Sequence, residues 1–327
     1  MAELTIVEAI RSAILTGLER DERVMVLGLD VGRLGGVFRS TDGLIEKFGR
    51  KRIFDTPLAE ASIIGSAIGL AVSGLVPIAE IQFLGFTAQA FHQMGPQLGR
   101  FRYRSRGRYP LQVTVRAPMG GGTRTPEFHP DATEALYVQT PALKVVMPSN
   151  PYDAKGLLIE AIRDPDPVLF IEPERLYRKG KAEVPDDAYT VPFGNARIAR
   201  AGSDVTIIAW SAAVEVCERA AEELALEGIS VEVIDLRTIV PLDVETMTQS
   251  VMRTGRAVVV HEAVLTAGFG AEVAATLQEE CFLSLDAPIA RVASPDTPYP
   301  PASMEDAWLP STERVVAAVR RTLGIQK

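Results

Sequence analysis

Only two cysteines, Cys217 and Cys281, occur in the 327 residues, and neither has the paired or metal-type spacing of a disulfide framework or zinc site. The three histidines, His92, His129 and His261, are as scattered, so sequence offers no histidine-based metal centre. Positive charge is in deficit. The 34 Lys and Arg against 42 Asp and Glu leave a net charge of −8, the wrong sign for a chain whose main partner is a nucleic-acid backbone. The start at Met1-Ala-Glu-Leu-Thr-Ile has no basic-then-apolar region, which together with the sparse cysteine predicts a reducing, cytoplasmic setting. There is no G-x-S-x-G elbow, no phosphate-cradling P-loop, and no repeat of the period expected for a solenoid.

What is present is the composition of a folded chain, 47% hydrophobic and 23% charged, long enough for about two domains of roughly 150 residues. One uncharged stretch, Ala61 to Ala79, reaches the length of roughly 18 residues at which a membrane span is considered. Ser62, Gly65, Ser66, Gly69, Ser73, Gly74 and Pro77 interrupt it and Glu60 and Glu80 bracket it. It therefore predicts a helix, a turn at Ser73-Gly74 and a strand, with no membrane partner.

Short apolar runs recur at Val24 to Gly28, Val76 to Ile81, Leu111 to Val115, Leu143 to Met147 and Val168 to Ile171. They return at Val205 to Ala209, Val231 to Leu236, Ala257 to His261 and Ile289 to Ala293. Runs of this kind alternating with helical segments predict an α/β protein of two doubly wound domains with parallel strands covered on both faces. Tyr177 to Asn195, rich in charge, Pro and Gly, predicts a surface linker, and the boundary falls near Pro192, giving domains over 1–190 and 191–327. Ser149-Asn150-Pro151 predicts a capped helix start, and Pro241 predicts the opening of a helix over Leu242 to Arg253.

Several residues invite a functional reading beside a structural one. Glu60 follows Arg52 to Phe54 and Asp55-Thr56-Pro57-Leu58 and opens a helix of small residues. It is either a first-turn electrostatic helper or a catalytic carboxylate, and position alone favours the helper. Gly65 and Gly69, four apart on one face, permit close approach of another backbone, from within the chain or from a second subunit. His129 follows the loop Gly120-Gly-Gly-Thr-Arg-Thr-Pro126, a place where a functional side chain is carried beyond a strand. Gly268-Phe-Gly270 begins like a dinucleotide fingerprint, but Val273 stands at the third-glycine position, so it reads as a turn leading into a helix.

Longer strings are more specific: Gly35-Gly-Val-Phe-Arg-Ser-Thr-Asp-Gly-Leu44, Phe54-Asp-Thr-Pro-Leu-Ala-Glu60, Ala79-Glu-Ile-Gln-Phe83 and Pro126-Glu-Phe-His129. Leu143-Lys-Val-Val-Met-Pro-Ser149, Tyr152-Asp-Ala-Lys-Gly-Leu-Leu158, Ile234-Asp-Leu-Arg-Thr238 and Asp296-Thr-Pro-Tyr-Pro300 follow. From about Leu4 to Leu323 the sequence resembles the β subunit of the thiamine-diphosphate-dependent 2-oxo acid dehydrogenase E1 component of the α2β2 form. The resemblance implies a pyrimidine-binding domain followed by a transketolase C-terminal-like domain. It also implies an E1 α subunit that holds Mg2+ and the diphosphate, since the G-D-G motif for that task is absent here. The implied activity is oxidative decarboxylation of a 2-oxo acid, pyruvate or branched-chain, and reductive acylation of the lipoyl group of an E2 acyltransferase.

The resemblance assigns Glu60 to N1' of the cofactor's aminopyrimidine, where an apolar neighbourhood should raise its proton affinity. It assigns Phe86 to stacking on that ring, Gln82 and Phe83 to the same cleft, and His129 to acyl transfer toward the lipoyl thiol. The loop with Ala161, Ile162, Asp164 and Asp166 matches a candidate monovalent-cation site, with K+ the implied ion. The chain also departs from the pattern. Leu29 replaces a glutamate of an acidic relay, His92 replaces an aspartate, and Pro130-Asp131-Ala132 removes hydroxyls beside His129. These departures motivate an alternative, a diverged paralogue that assembles with an α-like chain but has lost lipoyl transfer. A nicotinamide dehydrogenase built on the Gly268 turn is a second, more remote alternative.

Overall fold

Continuous apolar runs can bury both faces of a strand, and here they do. The computed structural model describes residues 1–325. Its strands are β1 (Ala2–Leu4), β2 (Val24–Gly28), β3 (Ile53–Asp55), β4 (Val76–Glu80), β5 (Thr114–Met119), β6 (Lys144–Val146) and β7 (Val168–Pro173), then β8 (Ala182–Val184), β9 (Arg197–Arg200), β10 (Val205–Ala209), β11 (Val231–Asp235), β12 (Thr238–Val240), β13 (Ala257–Val264) and β14 (Ala290–Ser294). Every residue of β2, β4, β5, β7, β10 and β11 is buried, the signature of sheets covered by helices on both sides.

Two large sheets result. The first has the order β12-β6-β7-β5-β4-β2-β3 and the second β14-β13-β10-β11-β9. The interior pairs are parallel, as the apolar runs predict, but each sheet carries one antiparallel edge: β12 on β6 and β9 on β11. β12 comes from the second half of the chain yet closes the first sheet, so the halves share a strand as well as an interface. One apolar cluster accordingly runs from Ala117 and Met119 of the first sheet to Trp210, Ile234 and Ile239 of the second half.

Helices Ile6–Arg20 and Pro151–Arg163 cover one face of the first sheet, with Ile10, Ile14, Leu157 and Leu158 fully buried there. Helix Glu60–Val72 covers the other. Thr5 and Glu8 close a capping box on the first of these, and Asn150 caps the second with Pro151 in its first turn, as the sequence predicts.

Four local expectations are corrected. Pro241 does not open its helix, which starts at Val244 with the Asp243 carboxylate accepting from Thr246 N, because a side-chain acceptor satisfies a free N–H and a proline cannot. The strand expected at Leu111 to Val115 lies instead over Thr114–Met119, where the ladder to β7 sets the register. Tyr177 to Asn195 is more than a surface linker: Tyr177, Val184 and Val191 are buried, and β8 pairs antiparallel with β1. Ala61 to Ala79 divides into helix, turn and strand as read, but its Ser62, Gly65, Ser66 and Gly69 face is exposed. A Cβ added at Gly65 or Gly69 would meet nothing within 4 Å, so among the described residues no other backbone lies against those two glycines. No helix among the described residues is long and apolar enough to cross a membrane.

A buried charge network fastens the middle strands. Arg116 of β5 donates to both oxygens of Glu172 at 2.7 Å, to Glu80 of β4, and to Ser40 Oγ at 3.0 Å, while the Tyr177 hydroxyl donates to Glu172. Burial opposes the Arg116 charge, but the two flanking carboxylates overcome that cost and hold its pKa above the ordinary value. The network also seats the loop after β2, since Gly36, at φ +77°, passes close to a Glu80 oxygen where a Cβ would crowd it.

Candidate active site

Ligand sites of parallel sheets collect at the carboxyl ends of the strands, where the following loops diverge. The candidate residues all arise there: Leu29 after β2, Glu60 after β3, Gln82, Phe83 and Phe86 after β4, and His129 on the loop after β5. The Asp55 carboxylate accepts from Gly32 N at 2.7 Å and Arg33 N at 3.2 Å, which ties the first two loops together.

Glu60 is the first residue of helix Glu60–Val72, and its side chain is nearly buried at 6% exposure. Among the described residues its carboxylate has no hydrogen-bond or ion-pair partner. Its oxygens are not among the fully enclosed atoms, so the carboxylate reaches the surface at the helix end, open to a donor from a ligand or an associating chain. The helix N-terminus favours the negative charge, but Ala59 supplies no side-chain cap, so the end of the helix stays open.

Phe86 packs on the apolar cluster that contains Ile63 and Ile64 of the Glu60 helix, and its segment Leu84–Ala90 contacts that helix. Phe83, Phe86 and His129 form a three-ring cluster. The imidazole centroid is 4.5 Å from Phe83 and 5.1 Å from Phe86, both edge-to-face, and the two phenyl rings are 5.4 Å apart. His129 Nδ1 lies 3.2 Å from the Glu127 carbonyl oxygen, and among the described residues the other ring nitrogen has no hydrogen-bond partner. The His129 ring is half-buried, not free on the surface, and Gln82, next to Phe83 in the chain, is half-buried too. The structure thus brings together His129, Phe83 and Phe86, although His129 lies 46 positions beyond Phe83.

The departures from the family strings are also placed. Leu29 is half-buried at the end of β2. His92 is exposed, with its Nε2 3.4 Å from the Gln97 side-chain nitrogen. Pro130 is buried directly after His129, and a Cβ at Gly85 would strike the Phe128 carbonyl and the Asp131 side chain, so residues 128–131 press closely on the loop that carries Phe86.

At the loop with Ala161, Ile162, Asp164 and Asp166 the charges are already matched. Lys144 Nζ lies 2.6 Å from both Asp164 oxygens, and Arg102 lies 2.6 Å from Asp166. The Ala161 carbonyl accepts from Asp164 N. What this loop can offer a monovalent cation is main-chain oxygen. Among the described residues no group of three or more His, Cys, Asp and Glu side chains is arranged to hold a metal.

Sequence reasoning missed a second ring of residues that comes from the far half of the chain. Glu262 and Glu305, both buried, accept backbone N–H groups of the Gly120–Arg124 loop. Glu134, fully buried beside the Trp210 indole, is pushed up to about 7 by burial, with Glu262 adding to the rise. The only trace of this set in the strings is Tyr299, whose hydroxyl donates to Glu305. Gly268 and Gly270, the doubtful fingerprint, instead give room to the His261 ring, which a Cβ at either position would strike.

Comparison with known proteins agrees with this architecture. Residues 2–179 match the transketolase pyrimidine binding domain family and residues 194–315 the transketolase C-terminal domain family. The pyruvate dehydrogenase E1 component subunit beta of Staphylococcus epidermidis is 52% identical over 323 residues, and that of Bacillus subtilis 50%, each covering 99% of both chains. A split-gene transketolase described as an inactive beta4 tetramer superposes with a TM-score of 0.79 over the whole of both chains at 24% identity, which speaks to fold alone. Together these matches place the chain in the family of pyruvate dehydrogenase E1 component β subunits.

Proposed function

We propose that the chain is the β half of a thiamine-diphosphate-dependent E1 enzyme that, with an α subunit, decarboxylates pyruvate and passes the two-carbon acyl unit to a lipoyl group of an E2 acyltransferase. The observation that carries this reading is Glu60: a largely buried side chain whose carboxylate has no partner among the described residues, at an open helix end. When bound, thiamine diphosphate supplies a carbon nucleophile and an electron sink. Glu60 holds a proton at N1' of its aminopyrimidine, Phe86 gives the ring an apolar face, and Gln82 lines the cleft. His129, held edge-on by Phe83 and Phe86, presents its other ring nitrogen for proton transfer to the lipoyl sulfur.

The Mg2+ and the diphosphate fall to the α chain in this reading, and the exposed Ser62, Gly65, Ser66 and Gly69 face offers that chain a surface of small residues. A K+ ion at the 161–166 loop, on carbonyl oxygens, belongs to the same proposal. The names of relatives at half identity favour the enzyme over the non-catalytic paralogue, and favour pyruvate over a branched-chain substrate.

The test is the reconstituted α/β complex with Glu60→Gln. Loss of general-acid/base function predicts a fall of about 10²-fold or more in decarboxylation with the complex still assembled. A rate near that of the unaltered enzyme rejects the role given to Glu60.

A further inference from the structure

The loop from Gly120 to Thr125 ends four residues before His129. Its glycines at 120 and 122 adopt φ of +102° and +97°, and Arg124 adopts +58°. Such a segment has many accessible conformations, so something outside it must select one. Two carboxylates of the second half do so. Glu305, fully buried, accepts with Oε1 from Gly122 N at 2.9 Å, from Arg124 N at 3.2 Å and from the Tyr299 hydroxyl. Its Oε2 lies 3.1 Å from the Arg124 guanidinium, which donates further to the Ala302 carbonyl at 2.6 Å and pairs with Asp306 at 2.6 Å. Glu262 accepts from Gly121 N and lies 3.6 Å from Arg175.

The amides of residues 121, 122 and 124 are therefore each taken by a carboxylate from the second half, Gly121 by Glu262 and the other two by Glu305. Gly121 is obligatory for this geometry, since a Cβ would strike the Tyr299 hydroxyl and ring. Beyond Arg124 the constraint passes through a short turn, His129 N donating to the Pro126 carbonyl at 3.3 Å. On the far side of His129 the chain is fixed again, by Tyr137, fully buried in the apolar cluster that also holds Trp210. His129 is thus suspended between two attachments to the other half of the molecule. Among the described residues no hydrogen bond, ion pair or ring contact joins Glu262, Glu305 or Tyr299 to Phe83, Phe86 or His129.

We propose that Glu262 and Glu305 are positioning residues for His129, holding the 120–129 loop so that the imidazole meets the lipoyl thiol. The inference rests on the reading of His129 given above, and predicts a defect in acyl transfer separate from decarboxylation.

The experiment uses the assembled α/β complex with thiamine diphosphate and two assays: pyruvate decarboxylation with ferricyanide as electron acceptor, and reductive acylation of an isolated lipoyl domain. Glu305→Ala should lower acylation by tens-fold while decarboxylation stays within about twofold, since misplacing a reacting group by about 1 Å costs up to 10²-fold. Glu305→Gln, which keeps an acceptor for the two amides, should recover most of that loss. In a His129→Ala background Glu305→Ala should cost less than twofold more, because the two residues act through one another.

Parallel loss of both activities, additive losses, or no loss overturns the proposal. Should Glu305→Ala fail to assemble, Tyr299→Phe decides in the same way: a selective fall in acylation supports the proposal, and a uniform fall or none rejects it. His129→Ala alone judges the underlying reading. If it leaves acylation intact, His129 has no part in transfer and the inference falls with it. If it abolishes acylation while the Glu305 variants do not, the inference alone is wrong.

Discussion

The indole of Trp210 lies flat against the imidazole of His261, with centroids 5.3 Å apart and planes within 5° of parallel. His261 is fully buried, and neither ring nitrogen makes a hydrogen bond of good geometry among the described residues. Burial, helped by the nearby Arg291 charge, lowers its pKa to about 4.

Because that value lies below the unfolded one of about 6.5, the unfolded chain binds the extra proton first. The stability held by neutral His261 is therefore complete above about pH 6.5 and is lost as pH falls toward 4. Urea unfolding between pH 7 and 4 should show His261→Phe losing less stability on acidification than the parent chain, by up to about 3 kcal/mol. Parallel curves for the two proteins would show that His261 does not titrate in this way.

Glu134 acts in the opposite direction. Its pKa of about 7 lies above the ordinary 4.5, with burial the main cause, so the folded chain binds the proton first. Its contribution is complete below about pH 4.5 and declines as pH rises to about 7. Glu134→Gln, which keeps the shape and removes the charge, should lessen the loss of stability between pH 5 and 8 in thermal or urea unfolding. An unchanged pH slope in that window would refute the assignment.

Arg116 sits between Glu80 and Glu172 with all three buried. Removing the cation leaves two carboxylates facing each other without water. Arg116→Met should cost about 3–5 kcal/mol of unfolding free energy, whereas the exposed pair Lys47–Glu19 should contribute less than about 1 kcal/mol. Denaturation midpoints of Arg116→Met and Lys47→Met compare the two. Equal small losses would show that the buried network is not what fastens β4, β5 and β7.

Phe86 tests the cofactor face. Its truncation to Ala removes one aromatic contact, worth about 0.5–1.5 kcal/mol, so the concentration of thiamine diphosphate giving half-maximal activity should rise about two- to tenfold. Loss of maximal rate with unchanged cofactor dependence would move Phe86 from the cofactor to the acyl-transfer side of the site.

Much of this was legible along the chain because it depends on near neighbours. The run Val205 to Ala209 is a strand end to end, and Asn150 with Pro151 starts its helix, since burial on both faces and capping are decided within a few residues. Glu60 stands out for a related reason, as a carboxylate at the start of a small-residue helix in a recognisable string. Pro241 misled because proline is compatible with a first turn without compelling one, and the Asp243 acceptor two residues later prevailed.

Local apolar periodicity and recognisable strings were sufficient for the two α/β halves and for the family, and they nominated Glu60, Phe86 and His129 as candidates. The attachment of the His129 loop was decided only when the halves came together. Glu305 lies 183 positions from the Gly122 amide it accepts from, and Glu262 141 from that of Gly121. A hydrogen bond across such a separation leaves no periodicity in either segment. It exists because apolar burial between the two sheets brings the carboxylates and the amides out of water together, where each needs the other.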